Sequence, residues 1–278
     1  MLTETFCHIV GIGPKGEKRL WDKGFCSWQS VGESDALPLS PQQAEAVRQE
    51  ARVSLQHLER DNPLYFDTCL PSNQLWRMFP TFRHQVAYLD IETTGLGGSG
   101  DYITTIVVYD GGEIYSYVQG KNLRDFGRDI QKYGLLVTYN GKTFDLPFIR
   151  NYLNVPMRQA HIDLRYVLAS LGYKGGLKGC ERQLGLDRED LVDVDGYFAV
   201  LLWWDYLKGG NPKALETLLA YNTADVVNLE VLMVMAYNLK LKETPFTDSH
   251  TLLLPDEPEI PFEADLETIH RIRRGRLW

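Results

Sequence analysis

Cysteine is scarce and scattered: Cys7, Cys26, Cys69 and Cys180 are the only four, and no two form a C-x-x-C pair. Together with an N-terminus that carries no basic, apolar, small-residue signal pattern, this argues against a disulfide framework and sets the expectation of a reducing, cytoplasmic compartment. Long apolar runs are also lacking. The densest stretches, such as Val231 to Met235, fall far short of the roughly 18 residues that a membrane helix needs, so a soluble protein with no membrane partner is expected. Nor is there a basic excess: 29 Lys and Arg face 37 Asp and Glu, for a net charge of −8. That balance excludes a general polyanion-binding surface, and any nucleic-acid contact must be local. Acids that hold a divalent cation invert the field a phosphate meets, so net charge is a weak objection to such a contact. No internal repeat is found. What remains is a chain of 278 residues, 44% hydrophobic and 24% charged, ordinary for one sizeable globular core with a small appendage.

The character of the chain changes along its length. Residues 1–60 read as a small helical satellite. Within it, Gly11-Ile12-Gly13-Pro14 is a turn before the helical KGEKRLWDKG, and PQQAEAVRQEARVSLQHLER is rich in helix formers with Pro41 at its start. A proline-punctuated connector, 61–82, leads to the main domain, 83–240. There VAYLDIE reads as a buried strand, and DYITTIVVYD and GGEIYSYV as an antiparallel hairpin around Asp110-Gly111-Gly112. RDFGRDIQKYG reads as a helix, LLVTYN as a fourth strand, and Phe144 to Leu153 and Ile162 to Leu171 as helices. Lys213 to about Lys240 reads as two consecutive helices, and 241–278 as an irregular acidic, proline-containing tail with a basic end. Alternation of this kind implies α/β architecture, a sheet flanked by helices.

Carboxylates stand at the ends of these elements. Asp90 and Glu92 lie two apart at the end of an apolar strand, so both point to one face, and two adjacent anions there need a cation. Asp145 follows the strand LLVTYN where a helix begins, a place where ligands concentrate and where a helix cap would serve equally well. Tyr221 and Asp225, four apart in an apolar helical pattern, share a face.

DIETTGL, NGKTFD and YNTAD, in this order and spacing, resemble the three exonuclease motifs of the DEDD superfamily. TYNGKTFDLPFI is similar to the proofreading domains of family-B DNA polymerases, and Y-x-x-x-D has the form of the tyrosine subclass. TTGL is more like the histidine subclass, so the subclass rests on Tyr221 alone. The likeness spans residues 83–240 and is greatest to YprB-like ribonuclease-H-like proteins, with HIDL and GLKGCERQLGL matching segments between the second and third motifs. It implies an RNase-H-like fold with a central mixed five-stranded sheet, and a 3′→5′ exonuclease that acts on the 3′ end of DNA or RNA. It further implies two divalent ions, Mg²⁺ or Mn²⁺, held by Asp90, Glu92, Asp145 and Asp225, with Tyr221 orienting the attacking water. Thr94, Gly95 and Leu96 would contact the terminal nucleotide, with Leu96 as a wedge. Asn140 and Phe144 would line the same pocket, although Phe144 also suits core packing. His161 is expected to order the HIDL turn rather than act as a base. Lys178 and Arg182, four apart on a helix, either meet the substrate backbone or form a solvated face. A catalytically silent nucleic-acid-binding module and a structure-specific endonuclease are the alternatives. Finally, HIVGIGPKGEKRLW resembles a helix-hairpin-helix motif, in which Gly11, Gly13 and Lys15 would grip a phosphate. The same residues suit a tight turn that packs Ile9, Ile12 and Leu20.

Overall fold

The structure, a computed structural model, describes residues 1–34, 36–186 and 195–275. The main helices before the sheet are α1 (Pro14–Trp21), α2 (Trp28–Gly32), α3 (Pro41–Glu59) and α4 (Pro63–Cys69). Serine caps both α2 and α3, where Ser27 and Ser40 accept from the amides of Ser30 and Gln43 in reciprocal capping boxes. The sheet then follows as β1 (Val86–Thr93), β2 (Ile103–Tyr109), β3 (Ile114–Val118), β4 (Leu135–Thr138) and β5 (Ala160–Asp163). Their order is β3-β2-β1-β4-β5. The hairpin strands pair antiparallel, and β1, β4 and β5 run parallel. This is the mixed five-stranded sheet of the RNase-H-like expectation. Helix α5 (Asp145–Leu153) connects β4 to β5, and α6 (Leu164–Ser170), α7 (Gly176–Leu184), α8 (Gly196–Leu207) and α9 (Pro212–Leu241) follow.

Alternation along β1 decides what each face meets. Ala87, Leu89 and Ile91 pack with Leu146 and Ile149 of α5 on one side. Val86 and Tyr88 face the other side, where Val226, Leu229 and Met233 of α9 cover the sheet. Asp90 and Glu92 continue this second face, so the strand's period of two aims both acids at α9. The N-terminal helices share that core: Phe6, Leu20, Trp28 and Val47 belong to the same apolar cluster as Trp76 and Tyr237.

Four expectations change. Residues 213–240 form one helix, α9, rather than two; Asn211 caps it, and no glycine or proline interrupts it. By length and composition α9 could cross a membrane, but 78% of its apolar window is buried within the protein, as befits a core helix. Ala160–Asp163 is a strand where the sequence suggested helix from Ile162, and only Leu164 onward is helical. The RDFGRDIQKYG helix is broken into short turns, with α-helix only at Phe126–Asp129. The tail is irregular only in part: α10 (Leu266–Arg273), capped by Asp265, buries Ile269 and Ile272 against Trp203 and Leu218. Residues 276–278 of the basic end lie outside the described residues.

A buried ion pair ties α1 to the connector. Arg77 meets Glu17 at 2.9 Å, with the side chains 5% and 1% exposed. Glu17 also accepts from the Thr5 hydroxyl and the amides of Phe6 and Cys7. Removing one partner strands the other as a buried charge. Arg77→Ala is therefore expected to lower stability by about 3–5 kcal/mol, and adding Glu17→Gln should recover part of it. Urea denaturation measures both, and an unchanged midpoint in Arg77→Ala would mean that the pair does not hold the segment.

Candidate metal centre and active-site cleft

The carboxylates of Asp90 and Glu92 from β1 and Asp225 from α9 converge, with ligand oxygens all within 4.8 Å of one another. Ionised together at that spacing, each pair repels by at least about 3 kcal/mol at an effective dielectric near 20. A divalent cation at their centre reverses the sign. Glu92 is 8% exposed and Asp225 5%, so solvent screens little of this. All three border a cleft of about 580 Å³ together with Asp145, Tyr221, Asn140 and Phe144. The donors are hard carboxylate oxygens, and no described residue lining the cleft is histidine or cysteine, a set that fits Mg²⁺ or Mn²⁺ rather than zinc.

Asp145 enters differently from the other three acids. It is the first residue of α5, 3% exposed, and its Oδ1 accepts from the Ile91 amide at 3.2 Å. Burial pushes its carboxyl up to about 7. It shares the cleft but stands outside the converging triad. Tyr221 is 4% exposed, and the Lys178 ammonium lies 4.7 Å from its ring centroid. Lys178 is thus no part of a solvated face: its Nζ is buried against Tyr221, while Arg182 is exposed. The four-residue spacing put the two on one helix, α7, but the structure gives them different surroundings.

The loop between β4 and α5 is organised by Asp163 at the end of β5. Its carboxylate accepts from the amides of Asn140 at 2.8 Å, Lys142 at 3.0 Å and Arg165 at 3.0 Å. Asn140 adopts the left-handed conformation, with φ 67°, which asparagine tolerates better than most residues. Next to it, a Cβ on Gly141 would sit 2.3 Å from Thr138 Oγ1, so only glycine fits. The same Thr138 hydroxyl meets His161 Nε2 at 2.8 Å. Burial and the nearby cations Lys142 and Arg150 lower His161 to about 4. At neutral pH its imidazole is uncharged.

Three further residues reach the site without having been singled out in the sequence. Arg165 lines the cleft and donates to Asn140 Oδ1, and Lys174 borders it too. Asn222 donates to Asp90 Oδ2 at 2.7 Å. Thr94, Gly95 and Leu96 do not line the cleft. Thr94 pairs with Tyr102 through its amide and hydroxyl, both at 3.0 Å, and Leu96 projects from this loop 92% exposed.

The sequence profile of the RNase_H superfamily matches residues 87–237, more than half of the chain and all of the elements that carry this cleft. The chain belongs to the RNase_H superfamily. Among curated proteins it is similar to the uncharacterized protein YprB of Bacillus subtilis (strain 168). The two are 28% identical over 193 residues, covering 61% of this chain and 46% of YprB. The chain thus spans less than half the length of that relative. Among solved structures, the family B DNA polymerase from the hyperthermophilic archaeon Pyrobaculum calidifontis aligns with 19% identity and a TM-score of 0.41, over 56% of this chain and 24% of the polymerase.

Proposed function

We propose that the chain is a metal-dependent 3′→5′ exonuclease of the DEDD tyrosine subclass that hydrolyses nucleic acid, DNA in preference to RNA, and acts in the cytoplasm. The observation that carries this is the convergence of Asp90, Glu92 and Asp225 in one cleft with Asp145 and Tyr221. Membership of a nuclease superfamily supports it. Asp90, Glu92 and Asp225 would hold one divalent ion, and Asp145 would serve a second. Bound there, the pair of ions supplies a deprotonated water and neutralises charge on the entering and departing oxygens. The chain's own groups do the rest. Tyr221 orients the attacking water through its hydroxyl, since an ordinary phenol is a poor base at neutral pH. Asn140 and Phe144 would line the terminal-nucleotide pocket, Thr94 and Gly95 would shape the loop after β1, and Leu96, exposed on that loop, would wedge against a base. Arg165 and Lys174 provide local positive charge that the overall balance lacks.

The test uses DNA and RNA strands of matched sequence, labelled at the 5′ end, with Mg²⁺ or Mn²⁺. Stepwise shortening from the 3′ end, faster on DNA, is expected. Internal fragments would make the protein an endonuclease on the same site, and metal-independent binding without turnover would make it a silent binding module.

Tyr221→Phe keeps the ring against Lys178 and removes only the hydroxyl. Turnover is expected to fall about 10- to 1000-fold with little change in substrate affinity. Unchanged turnover where chemistry limits the rate would remove Tyr221 from the mechanism.

A phosphate contact at the N-terminus is a separate proposal. Gly11 has φ 85°, and Gly13 is the N-cap residue of α1, which has no side-chain cap. Ile9, Ile12 and Leu20 are buried, so the turn also packs. Lys15→Ala should weaken duplex binding and reduce the salt-dependence slope by about 0.9. An identical slope would leave the turn as structure alone.

A further inference from the structure

Two buried side chains form a relay that ends on Asp90. The Thr105 hydroxyl donates to Asn222 Oδ1 at 3.0 Å, and Asn222 Nδ2 donates to Asp90 Oδ2 at 2.7 Å. Thr105 and Asn222 are both 0% exposed. The strand register places Thr105 opposite Glu92 and Val107 opposite Asp90, so Thr105 shares the face on which both acids project. Asn222 reaches that face from α9, between Tyr221 and Asp225.

The direction of the relay is set by chemistry. A carboxamide has one accepting and one donating end, and a hydroxyl that donates to Oδ1 leaves the amino group turned toward the carboxylate. A flipped amide would set a carbonyl oxygen against an anion. A charge-assisted bond of this kind is strong, and its loss leaves the fully buried Asn222 amide without its acceptor. Asn222 therefore commits one oxygen of Asp90 and fixes the plane of its carboxylate.

We propose that Asn222, oriented by Thr105, is a positioning residue that sets the Asp90 carboxylate for metal binding; this rests on the metal-dependent reading above. It accounts for an amide at a position surrounded by core. Aspartate there would add a fourth anion beside the triad, and leucine would fill the space but hold nothing. Ligating carboxylates depend on such partners, whose loss costs roughly 10- to 100-fold in metal affinity.

The experiment titrates the full chain with Mn²⁺ and follows free Mn²⁺ by electron paramagnetic resonance, without nucleic acid. It compares wild type with Asp90→Asn, Asn222→Leu, Thr105→Val and Thr105→Ser, each shown to be folded by circular dichroism. Asn222→Leu is expected to weaken Mn²⁺ binding by about 10- to 100-fold. Thr105→Val should weaken it less, and Thr105→Ser, which keeps the hydroxyl, should bind as wild type does. The double variant Asn222→Leu/Thr105→Val should be no weaker than Asn222→Leu alone, because Thr105 acts through Asn222. Wild-type affinity in folded Asn222→Leu overturns the proposal. If that variant does not fold, the threonine pair decides: a weakened Thr105→Val beside an intact Thr105→Ser supports the relay, and equal affinities overturn it. A wild-type protein that binds no Mn²⁺ overturns the metal reading as well. Binding that is lost in Asp90→Asn but kept in Asn222→Leu overturns the positioning role alone.

Discussion

Replacing Asp225 with alanine should slow hydrolysis by on the order of 10³-fold or more, about 4 kcal/mol of barrier, while the metal-free protein stays folded. Asp225 belongs to a triad whose oxygens lie within 4.8 Å, so on the proposed reading its removal takes away a metal ligand and also relieves repulsion between anions. The two effects have opposite signs and separate readouts. Turnover on an end-labelled strand falls, whereas the melting temperature in EDTA holds or rises. Asp90→Ala should slow hydrolysis at least as much, and it also takes from Asn222 the acceptor for its amide. Full activity in either variant would sink the metal assignment. A variant that aggregates instead of folding would place the acid among the structural groups of the helix.

What could be read from the sequence was whatever a local period carries. Alternation along VAYLDIE was enough to put Asp90 and Glu92 on one face, and the structure turns that face toward α9. The four-residue spacing of Tyr221 and Asp225 was enough to pair them on a helix, and both border the cleft. The hairpin around Asp110 was legible because its turn chemistry is local. The features missed depend on partners remote in sequence. Strand β5 is four residues long, AHID, and is defined by its pairing with β4 rather than by any pattern of its own. Lys213 to Lys240 reads as two helices, yet Asn222 and Thr223 are 0% exposed inside one continuous helix. The role of Asn222 needs Thr105, 117 residues away, and the burial of Lys178 needs the ring of Tyr221. Helix α10, LETIHRIR, follows directly on the acidic proline-containing stretch, and only Thr268, Ile269 and Ile272 mark its buried face.

Asp145→Asn is expected to cost more than about 1,000-fold in turnover, by comparison with the loss of a metal ligand, and to change the pH dependence of stability. Asparagine keeps the size of the side chain and an Oδ1 that can accept from the Ile91 amide, so it removes the charge and little else. In the wild-type protein without metal, burial raises the Asp145 carboxyl from 3.8 to about 7. The folded state then holds this proton more tightly than the unfolded chain does. Its contribution to stability is complete below pH 3.8 and is lost as pH rises through 7, a swing of ~4 kcal/mol. Two histidines act in the opposite sense. His8 and His161 are both lowered from 6.5 to about 4 by burial, so they cost stability as pH falls from 6.5 toward 4. They are common to both proteins and cancel in the difference. Urea denaturation in EDTA should therefore find Asp145→Asn and wild type similar near pH 4 and the variant increasingly more stable toward pH 8. A difference that does not vary with pH would mean that the Asp145 charge is not the destabilising group, and turnover retained with Mg²⁺ would mean that the second ion does not need this carboxylate.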